Sequence, residues 1–297
     1  MKYSFRQLEV FLAVAHYQNI SKAADTLAMS QSATSSALSD FEKQFNVQFF
    51  DRIGKKLQLN ELGRALRPQA RALLDHALDF QQLLVQQRSA PVLNVGATLT
   101  IGNYLLVGVM ARYMAEQPGA KIHLHVANTA IITDKVRNFE LDVGLIEGEH
   151  HHPELLVIPW LEDELVVFCS PQHPFAALKT LHDEHLLAAT WILRERGSGT
   201  RQTFDRAMHG LLAEMELGLE LEHTEAIKRA VAANLGIGCL SRVTVEDEFQ
   251  RGSLIPLAVP HRNFSRRFYF ITHRDKYLSS GITHWLDLCR QLERKTE

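Results

Sequence analysis

The sequence lacks the features that mark secreted, disulfide-bonded and membrane-spanning proteins. Its three cysteines, Cys169, Cys239 and Cys289, are odd in number and far apart, so they form neither a CxxC pair nor a disulfide framework. We expect each to be a small core residue in a protein from a reducing compartment. No apolar run reaches the length of a membrane span, and no signal peptide is visible. These absences predict a cytoplasmic protein without a membrane partner.

The motifs of the common enzyme classes are also missing. The chain contains no G-x-S-x-G elbow, no HExxH, no P-loop and no nucleophile and base at a recognisable spacing. Three adjacent histidines, His150 to His152, stand between Glu149 and Pro153, and adjacent histidines in such a loop cannot all face one metal ion. We therefore predict a protein that is not an enzyme and has neither a metal site nor a cofactor.

No large excess of either charge is present, but the charge is unevenly distributed. The 297 residues carry a net charge of −2, with 46% hydrophobic and 22% charged residues, as in a soluble globular protein. Residues 1–90 contain 11 Lys and Arg against 8 Asp and Glu, whereas the remainder contains 21 against 26. The length predicts two or more domains, and the slightly basic first part favours contact with phosphates.

The segment from Ser21 to Phe45 has the pattern of two short helices around a tight turn. Ser21 is expected to cap the first helix and Ser30 the second. One face of the second helix is apolar: Ala33, Ala37, Leu38, Phe41 and Phe45. The opposite face carries short or neutral polar side chains: Gln31, Ser32, Ser35, Ser36 and Ser39. A helix of this kind is able to enter the major groove of DNA closely, although a solvated helical hairpin in a larger core is the alternative.

Two further segments flank this helical pair. Ser4 to Gln7 has a capping-box pattern that starts an earlier helix. Val47 to Leu59 predicts a hairpin with a turn at Gly54, followed by two lysines, and such a wing is able to touch a phosphate backbone. An ordinary surface hairpin with solubilising lysines is the alternative. The DNA contacts predicted on the helix and the wing are Gln31, Ser32, Thr34, Ser35, Ser36, Arg52, Lys55 and Lys56.

A long helix is expected from Arg64 to Arg88. Its apolar residues follow alternating spacings of four and three: Leu66, Ala70, Leu73, Ala77, Phe80 and Leu84. Such a heptad-like seam must be buried, and a second copy of the helix is the simplest partner. This predicts a homodimer; packing of the helix on its own domain is the alternative.

After Pro91, apolar strands alternate with amphipathic helices, which predicts an α/β sheet with helices on both faces. Strands are expected at residues 92–97, 122–127, 141–146, 164–170, 191–193, 236–241 and 267–272. Helices are expected at residues 102–116, 131–139, 200–212, 225–234 and 277–294. About 200 residues of this pattern are enough for two subdomains.

Three loops at helix starts suit the binding of a small anion. Gly96 to Asn103 includes the Thr98-Leu99-Thr100 run, and Trp191 to Arg201 places Ser198, Gly199 and Thr200 beside a charged Arg201. Thr224 opens a third helix, whose first residues, Glu225 and Ala226, are expected to face the same cleft. For each loop an ordinary capped helix is the alternative. Few aromatic residues occur in these loops, which disfavours a large flat ligand.

The N-terminal segments closely resemble LysR-type transcriptional regulators. The resemblance rests on three patterns in the correct order, FRQLEVFLAVA from Phe5, SKAADTLAMSQSATS from Ser21 and FFDRIGKKLQLNELG from Phe49. It implies a winged helix-turn-helix at residues 1–62, a dimerising linker helix at 63–90 and an effector domain at 91–297. The family usually has Pro in place of Ser32 and a small apolar residue in place of Thr34, differences that bear on which bases are read.

The C-terminal loops resemble the effector domain of the same family, through RERGSGTR from Arg194 and TEAIKRAV from Thr224. The resemblance implies two Rossmann-like lobes, as in periplasmic binding proteins, with subdomain I at about 91–163 and 268–297 and subdomain II at about 164–267. It implies effector contacts at Thr98, Thr100, Thr129, Ser198, Gly199 and Thr200. It further implies pairing of effector domains into a tetramer, and RNA polymerase is a candidate partner.

The predicted function is therefore transcription regulation: a homo-oligomer that binds double-stranded operator DNA and responds to a small, anionic effector. The alternative from another class is a cytoplasmic solute-binding protein whose helical N-terminus serves only assembly. The serine-rich helix face and the two lysines of the wing argue against that alternative. An enzyme that uses the α/β cleft is disfavoured, because no catalytic constellation is present.

Overall fold

The computed structural model describes residues 2–53, 56–84, 92–148 and 150–292. The chain divides into two compact units, Met1–Ser89 with Arg274–Thr283, and Ala90–His273 with His284–Glu297. In the described part of the chain, no helix is both long enough and apolar enough to cross a membrane.

Three helices and a hairpin make up the first 60 residues of the first unit. Helix α1 (Phe5–Tyr17) begins with the predicted capping box, in which the Ser4 hydroxyl accepts from the Gln7 backbone. Helix α2 (Ile20–Thr26) is capped by Asn19, so the predicted cap at Ser21 is wrong, because that residue already lies in the first turn. Helix α3 (Gln31–Phe45) is capped by Ser30, as predicted.

The predicted wing is present as an antiparallel pair, β1 (Phe50–Ile53) and β2 (Lys56–Leu59). Behind it, the Phe11 ring packs edge-on against Phe49, with ring centroids 5.0 Å apart. The core of this unit is formed by residues from the three helices, from the hairpin and from the long helix that follows it: Leu8, Val10, Phe11, Leu12, Val14, Ala15, Ala23, Leu38, Phe41, Phe49, Phe50 and Ala70.

The long helix α4 (Glu61–Leu84) starts directly after the wing. Its first turn lies so close to the wing that a Cβ atom at Gly63 would be 2.2 Å from the Phe49 carbonyl oxygen. Ala70 of the predicted seam is buried in the core of the unit, but Leu66, Leu73 and Phe80 are 38%, 43% and 62% exposed. Three of the six seam residues are therefore more than a third exposed to solvent in the single chain.

The second unit is an α/β structure built on a mixed sheet, with strand order β4-β3-β5-β11-β6-β9-β7-β8 and β10 paired with β6. Its strands are β3 (Val92–Ala97), β4 (Lys121–Val126), β5 (Val143–Glu147), β6 (Leu155–Cys169), β7 (Thr190–Arg194), β8 (Glu216–Leu221), β9 (Ile237–Ser241), β10 (Ile255–Leu257) and β11 (Ser265–His273). Its helices are α5 (Leu106–Glu116), α6 (Thr129–Arg137), α7 (Asp183–Ala188), α8 (Gly199–Ala207), α9 (Thr224–Ala232) and α10 (Arg242–Arg251). The chain's last described helix is α11 (Ser280–Arg290).

Two lobes share this sheet. Lobe I contains the parallel strands β3, β4 and β5 with helices α5 and α6, and lobe II contains the parallel strands β7, β8 and β9 with helices α7 to α10. Strands β6 and β11 pair antiparallel along most of their length and run through both lobes. The two-lobed α/β architecture expected from the sequence is confirmed.

The largest departure from the predicted secondary structure is the length of β6. Residues 164–170 were expected as a strand, but β6 already begins at Leu155. Its middle portion carries Pro159 and three acidic residues, Glu162, Asp163 and Glu164, where the strand passes between the lobes, and these interrupt the apolar pattern. The sequence patterns also did not predict the exposed edge strand β8 or the helices α7 and α10.

Candidate DNA-binding surface and effector site

Helix α3 presents a polar face to solvent, formed by Gln31, Ser32, Ser35 and Ser36, all of them exposed. Thr34 is 0% exposed and its hydroxyl donates to the Ser30 carbonyl oxygen at 3.1 Å, so its predicted contact with DNA is wrong. The buried stripe of α3 runs through positions 34, 38 and 41, which turns Ala33 out to solvent, contrary to expectation.

The predicted phosphate contacts lie on the wing. Arg52 is exposed on β1. Lys55 lies outside the described residues, as does the side chain of Lys56, whose backbone belongs to β2. A helix-turn-helix places its second helix in the major groove, and in this chain that helix is α3, whose exposed face is polar.

Two of the three effector-domain loops predicted from the sequence meet at one buried carboxylate, Glu147, at the end of β5. The Thr100 backbone N–H donates to Glu147 Oε1 at 3.1 Å, and the Thr200 hydroxyl donates to Glu147 Oε2 at 2.9 Å. Arg266 Nη1 of β11 donates to the same Oε2 atom at 2.7 Å. Donors from lobe I, lobe II and a shared strand thus converge on one anion that belongs to the chain itself.

Arg266 joins this carboxylate to a second one. Its Nε donates to Asp163 Oδ2 of β6 at 2.6 Å, and the Ser241 hydroxyl donates to Asp163 Oδ1 at 2.8 Å. The side chains of Glu147 and Arg266 are each 1% exposed and that of Asp163 is 2% exposed. We call Glu147, Arg266 and Asp163 the buried triad.

The triad contains two carboxyls and one guanidinium, and the pKa values of the two carboxyls shift in opposite directions. Burial by itself would raise the pKa of the Glu147 carboxyl, but Arg266 and the hydrogen bond from Thr100 outweigh it and lower the pKa to about 2. Burial raises the pKa of Asp163 against the pull of the same guanidinium. Glu147 is therefore a firmly ionised carboxylate, which matches its full set of donors.

Most of the predicted effector residues surround Glu147. Thr98, Thr100, Thr129, Ser198, Gly199 and Thr200 are all buried. The Thr129 hydroxyl donates to the Glu147 carbonyl oxygen at 3.2 Å, and the Ser198 hydroxyl accepts from the Thr200 backbone at 3.2 Å. At Gly199 a Cβ atom would lie 2.1 Å from the Glu147 carbonyl oxygen, so only glycine allows α8 to approach β5 this closely.

Two of the predicted effector residues face elsewhere. Arg201 Nε pairs with Asp205 at 2.8 Å, and its Nη1 contacts Glu220 at 3.0 Å and the Arg194 carbonyl at 3.1 Å, so its charge is directed away from Glu147. The Glu225 carboxylate accepts from the Tyr104 phenol at 2.8 Å instead of facing the triad. The remaining candidates, Leu99 and Ala226, are half-buried beside their loops.

Sequence reasoning missed the triad itself. Glu147 ends a strand of five buried residues, and Arg266 occupies an inward position of the alternating strand β11. A charged residue at an inward strand position needs a buried partner, and this requirement could be read from the sequence. The partners themselves could not be identified from the sequence, because they come from strands far apart in the chain. Among the described residues, no group of three or more His, Cys, Asp and Glu side chains is arranged to hold a metal ion.

Comparison with known proteins identifies a domain family for each of the two parts of the chain. Residues 5–64 match the family of bacterial regulatory helix-turn-helix proteins of the lysR type, and residues 86–294 match the LysR substrate binding domain. An uncharacterized HTH-type transcriptional regulator, YeiE of Escherichia coli strain K12, is 46% identical over 290 residues, which cover 97% of this chain and 98% of the relative.

Solved structures show the same fold. A full-length OxyR variant from Pseudomonas aeruginosa superposes with a TM-score of 0.73 over 98% of this chain and 95% of its own, at 21% identity. The Synechocystis CcmR regulatory domain in complex with 2-PG superposes with a TM-score of 0.63 over 69% of this chain and 98% of its own, at 28% identity. These matches, together with the helix-turn-helix and the two-lobed domain, show that the chain belongs to the LysR family of DNA-binding transcriptional regulators, which are not enzymes.

Proposed function

We propose that this LysR-type regulator senses a small anion that displaces the Glu147 carboxylate from its donors. The observation that carries the proposal is the convergence of Thr100, Thr200 and Arg266 on one carboxylate at the meeting point of both lobes. Helix starts and guanidinium groups favour negative charge, so donors that hold a glutamate carboxylate also suit a free carboxylate or an inorganic oxyanion.

One donor of the triad is available to a ligand. Arg266 Nη2 is buried and has no hydrogen-bonding partner among the described residues. A buried N–H without a partner is costly, and an anion that accepts from it would recover that cost. The 2-PG bound by the CcmR regulatory domain supports a small ligand in this domain type.

Displacement explains how an anion would change the regulator's shape. Glu147 connects lobe I to Thr200 of lobe II and to Arg266 of the shared strand β11. A ligand that replaces this carboxylate changes which groups the lobes share, and so favours one lobe arrangement over another. In an oligomer, that change would alter the spacing of the DNA-binding domains.

We further propose that α3 reads the operator, with Gln31, Ser32, Ser35 and Ser36 near base edges and Arg52, Lys55 and Lys56 near phosphates. The exposed face of α3 is short and uncharged, which allows close approach to the major groove. The protein would act in the cytoplasm, where its DNA target lies, and a contact with RNA polymerase stays a prediction.

The oligomer we propose is a dimer through α4, extended to a tetramer by pairing of the effector domains. The exposed seam residues of α4 support the dimer. An apolar groove of about 300 Å³ opens beside them, lined by residues of α1, α3 and α4 that include Phe11, Phe45 and Leu66. Apolar surface of this kind on a helix and its neighbouring groove fits a second copy of the same helix.

For the DNA-binding proposal, we expect Ser35→Glu to abolish specific binding, because it places a carboxylate in a negatively charged groove. Gln44→Glu is the matched control: it adds the same charge to α3 nine residues later, half a turn away from Ser35 on the opposite side of the helix. Binding is measured by mobility shift on a genomic fragment selected with the wild-type protein. Normal binding by Ser35→Glu would show that the recognition face is wrongly assigned.

For the dimer, we expect Leu73→Glu to separate the α4 pair and halve the sedimenting mass, because the new charge would be buried in the seam. Leu78→Glu changes another exposed leucine of α4, about a third of a turn off the seam, and should leave the mass unchanged. Sedimentation velocity on the 33.7 kDa chain separates the species. Dissociation by Leu78→Glu but not by Leu73→Glu would contradict the assignment of the seam.

For the effector, we expect Glu147→Gln to bind small anions about tenfold more tightly, a gain of ~1.4 kcal/mol, since the competing charge is gone and the donors remain. Glu162→Gln, which removes a carboxylate 79% exposed on β6, should not change the affinity. Calorimetry with inorganic phosphate, sulfate and acetate measures both. If Glu147→Gln loses binding that the wild type has, the carboxylate is itself a ligand contact and displacement is wrong.

A further inference from the structure

A hydrogen-bonded cluster outside the buried triad connects the two lobes at one rim of the cleft. Tyr104 belongs to a π-helical turn, Ile101–Leu105, which follows the Thr98–Thr100 loop in lobe I. Its phenol donates to Glu225 Oε1 at 2.8 Å, and Glu225 lies in the first turn of α9 in lobe II. π-helical turns are rare and are frequently found at functional sites, and this one places Tyr104 directly before α5.

Lys228 completes the cluster from one turn further along α9. Its ammonium group lies 3.3 Å from the Tyr104 oxygen, 2.5 Å from Glu225, 2.9 Å from Glu248 and 3.0 Å from the Thr244 carbonyl oxygen. The Lys228 side chain is only 8% exposed, whereas Glu225 is 61% exposed. A buried ammonium therefore fixes the position of a more exposed carboxylate.

The lobe II half of this cluster is independent of lobe I. Glu248 and the Thr244 carbonyl, both on α10, hold Lys228 in place without Tyr104. If the lobes separated, Lys228 and Glu225 would remain paired, and lobe II would keep a preformed acceptor for the phenol. The group that changes partner on opening is Tyr104, which then exchanges a hydrogen bond to a carboxylate for one to water.

The opposite rim is joined more weakly. There Asn128 Nδ2 of lobe I lies 3.3 Å from Glu195 Oε1, and the Ala130 backbone N–H lies 3.4 Å from the Gly197 carbonyl oxygen. Both distances exceed the usual range for a good N–H···O hydrogen bond. At 2.8 Å, the contact between Tyr104 and Glu225 is therefore shorter than either of these contacts.

We propose that Tyr104, Glu225 and Lys228 form a latch that holds lobe I against lobe II and sets how readily the effector site opens. The latch goes beyond the sensing proposal but rests on it for its biological purpose, since a closed cleft is useful only if something binds there. Tyr104 is a positioning residue in this account: it connects the Thr98–Thr100 loop to α9 without contacting the anion.

The test measures the distance between the lobes directly. Spin labels are placed at Lys121→Cys on β4 and Glu216→Cys on β8, two exposed positions on the edge strands of lobe I and lobe II. The native cysteines are buried, and burial raises the pKa of the Cys169 thiol to about 11, so labelling is confined to the introduced residues. Full-length labelled chains are diluted with unlabelled chains, so that pulsed electron spin resonance reports distances within one chain.

In this background we expect Tyr104→Phe to raise the ratio of longer to shorter inter-lobe distances about three- to tenfold, the effect of losing one hydrogen bond of ordinary strength. Tyr269→Phe, which removes a phenol hydroxyl from a side chain packed on the lobe I core, should leave the ratio unchanged. Glu225→Ala should also open the lobes, by no more than Tyr104→Phe, because the contact of Lys228 with the phenol remains. The double variant should open no further than Tyr104→Phe, because that change already removes every contact of the phenol hydroxyl.

An unchanged distance distribution in Tyr104→Phe, or additive effects in the double variant, would overturn the latch. The same samples are titrated with inorganic phosphate and with sulfate. If neither anion alters the wild-type distances while Tyr104→Phe still opens the lobes, the latch holds and the anion proposal fails. The two proposals therefore fail by different observations.

Discussion

The second unit is organised around one guanidinium, that of Arg266, buried between two carboxylates. Arg266 stands on β11, Glu147 ends β5 and Asp163 lies in the middle of β6, so three neighbouring strands meet through one side chain. Removing charges from water is expensive, and removal of one partner from such a group leaves an unpaired buried charge. The cost is tolerable here only because hydroxyl and backbone donors complete both carboxylates.

Under the proposed sensing mechanism, an anion that binds at the effector site must compete with Glu147. The donors that an anion needs are already engaged by Glu147, so a ligand gains only the difference between its own contacts and those it replaces. Small, highly charged anions are favoured by that comparison, because they match the carboxylate in size. The Tyr104 latch acts on the same balance from the rim, by changing how often the lobes separate.

Sequence patterns predicted what depends on neighbours in the chain. The Ser4 capping box, the Ser30 cap, the wing and the strand and helix alternation all follow local rules, and the structure has them. The same rules brought Thr100 and Thr200 to one place. Local rules could not predict that Glu147 pairs with Arg266, because the order of strands in a sheet decides which distant residues meet. Thr34 was predicted on the exposed face of α3 but is buried, because the buried stripe of the helix is rotated by one residue from the predicted stripe. Periodicity alone does not correct this error.

Infrared difference spectroscopy tests displacement of Glu147 most directly. Spectra of the full-length protein are recorded with and without a bound inorganic anion, phosphate or sulfate, and the Glu147 contribution is identified by comparison with Glu147→Gln. The account predicts a shift of one carboxylate stretching band on binding in the wild type, as the carboxylate leaves Arg266, and no such shift in the variant. Identical difference spectra from both proteins, with the anion bound in each, would contradict it.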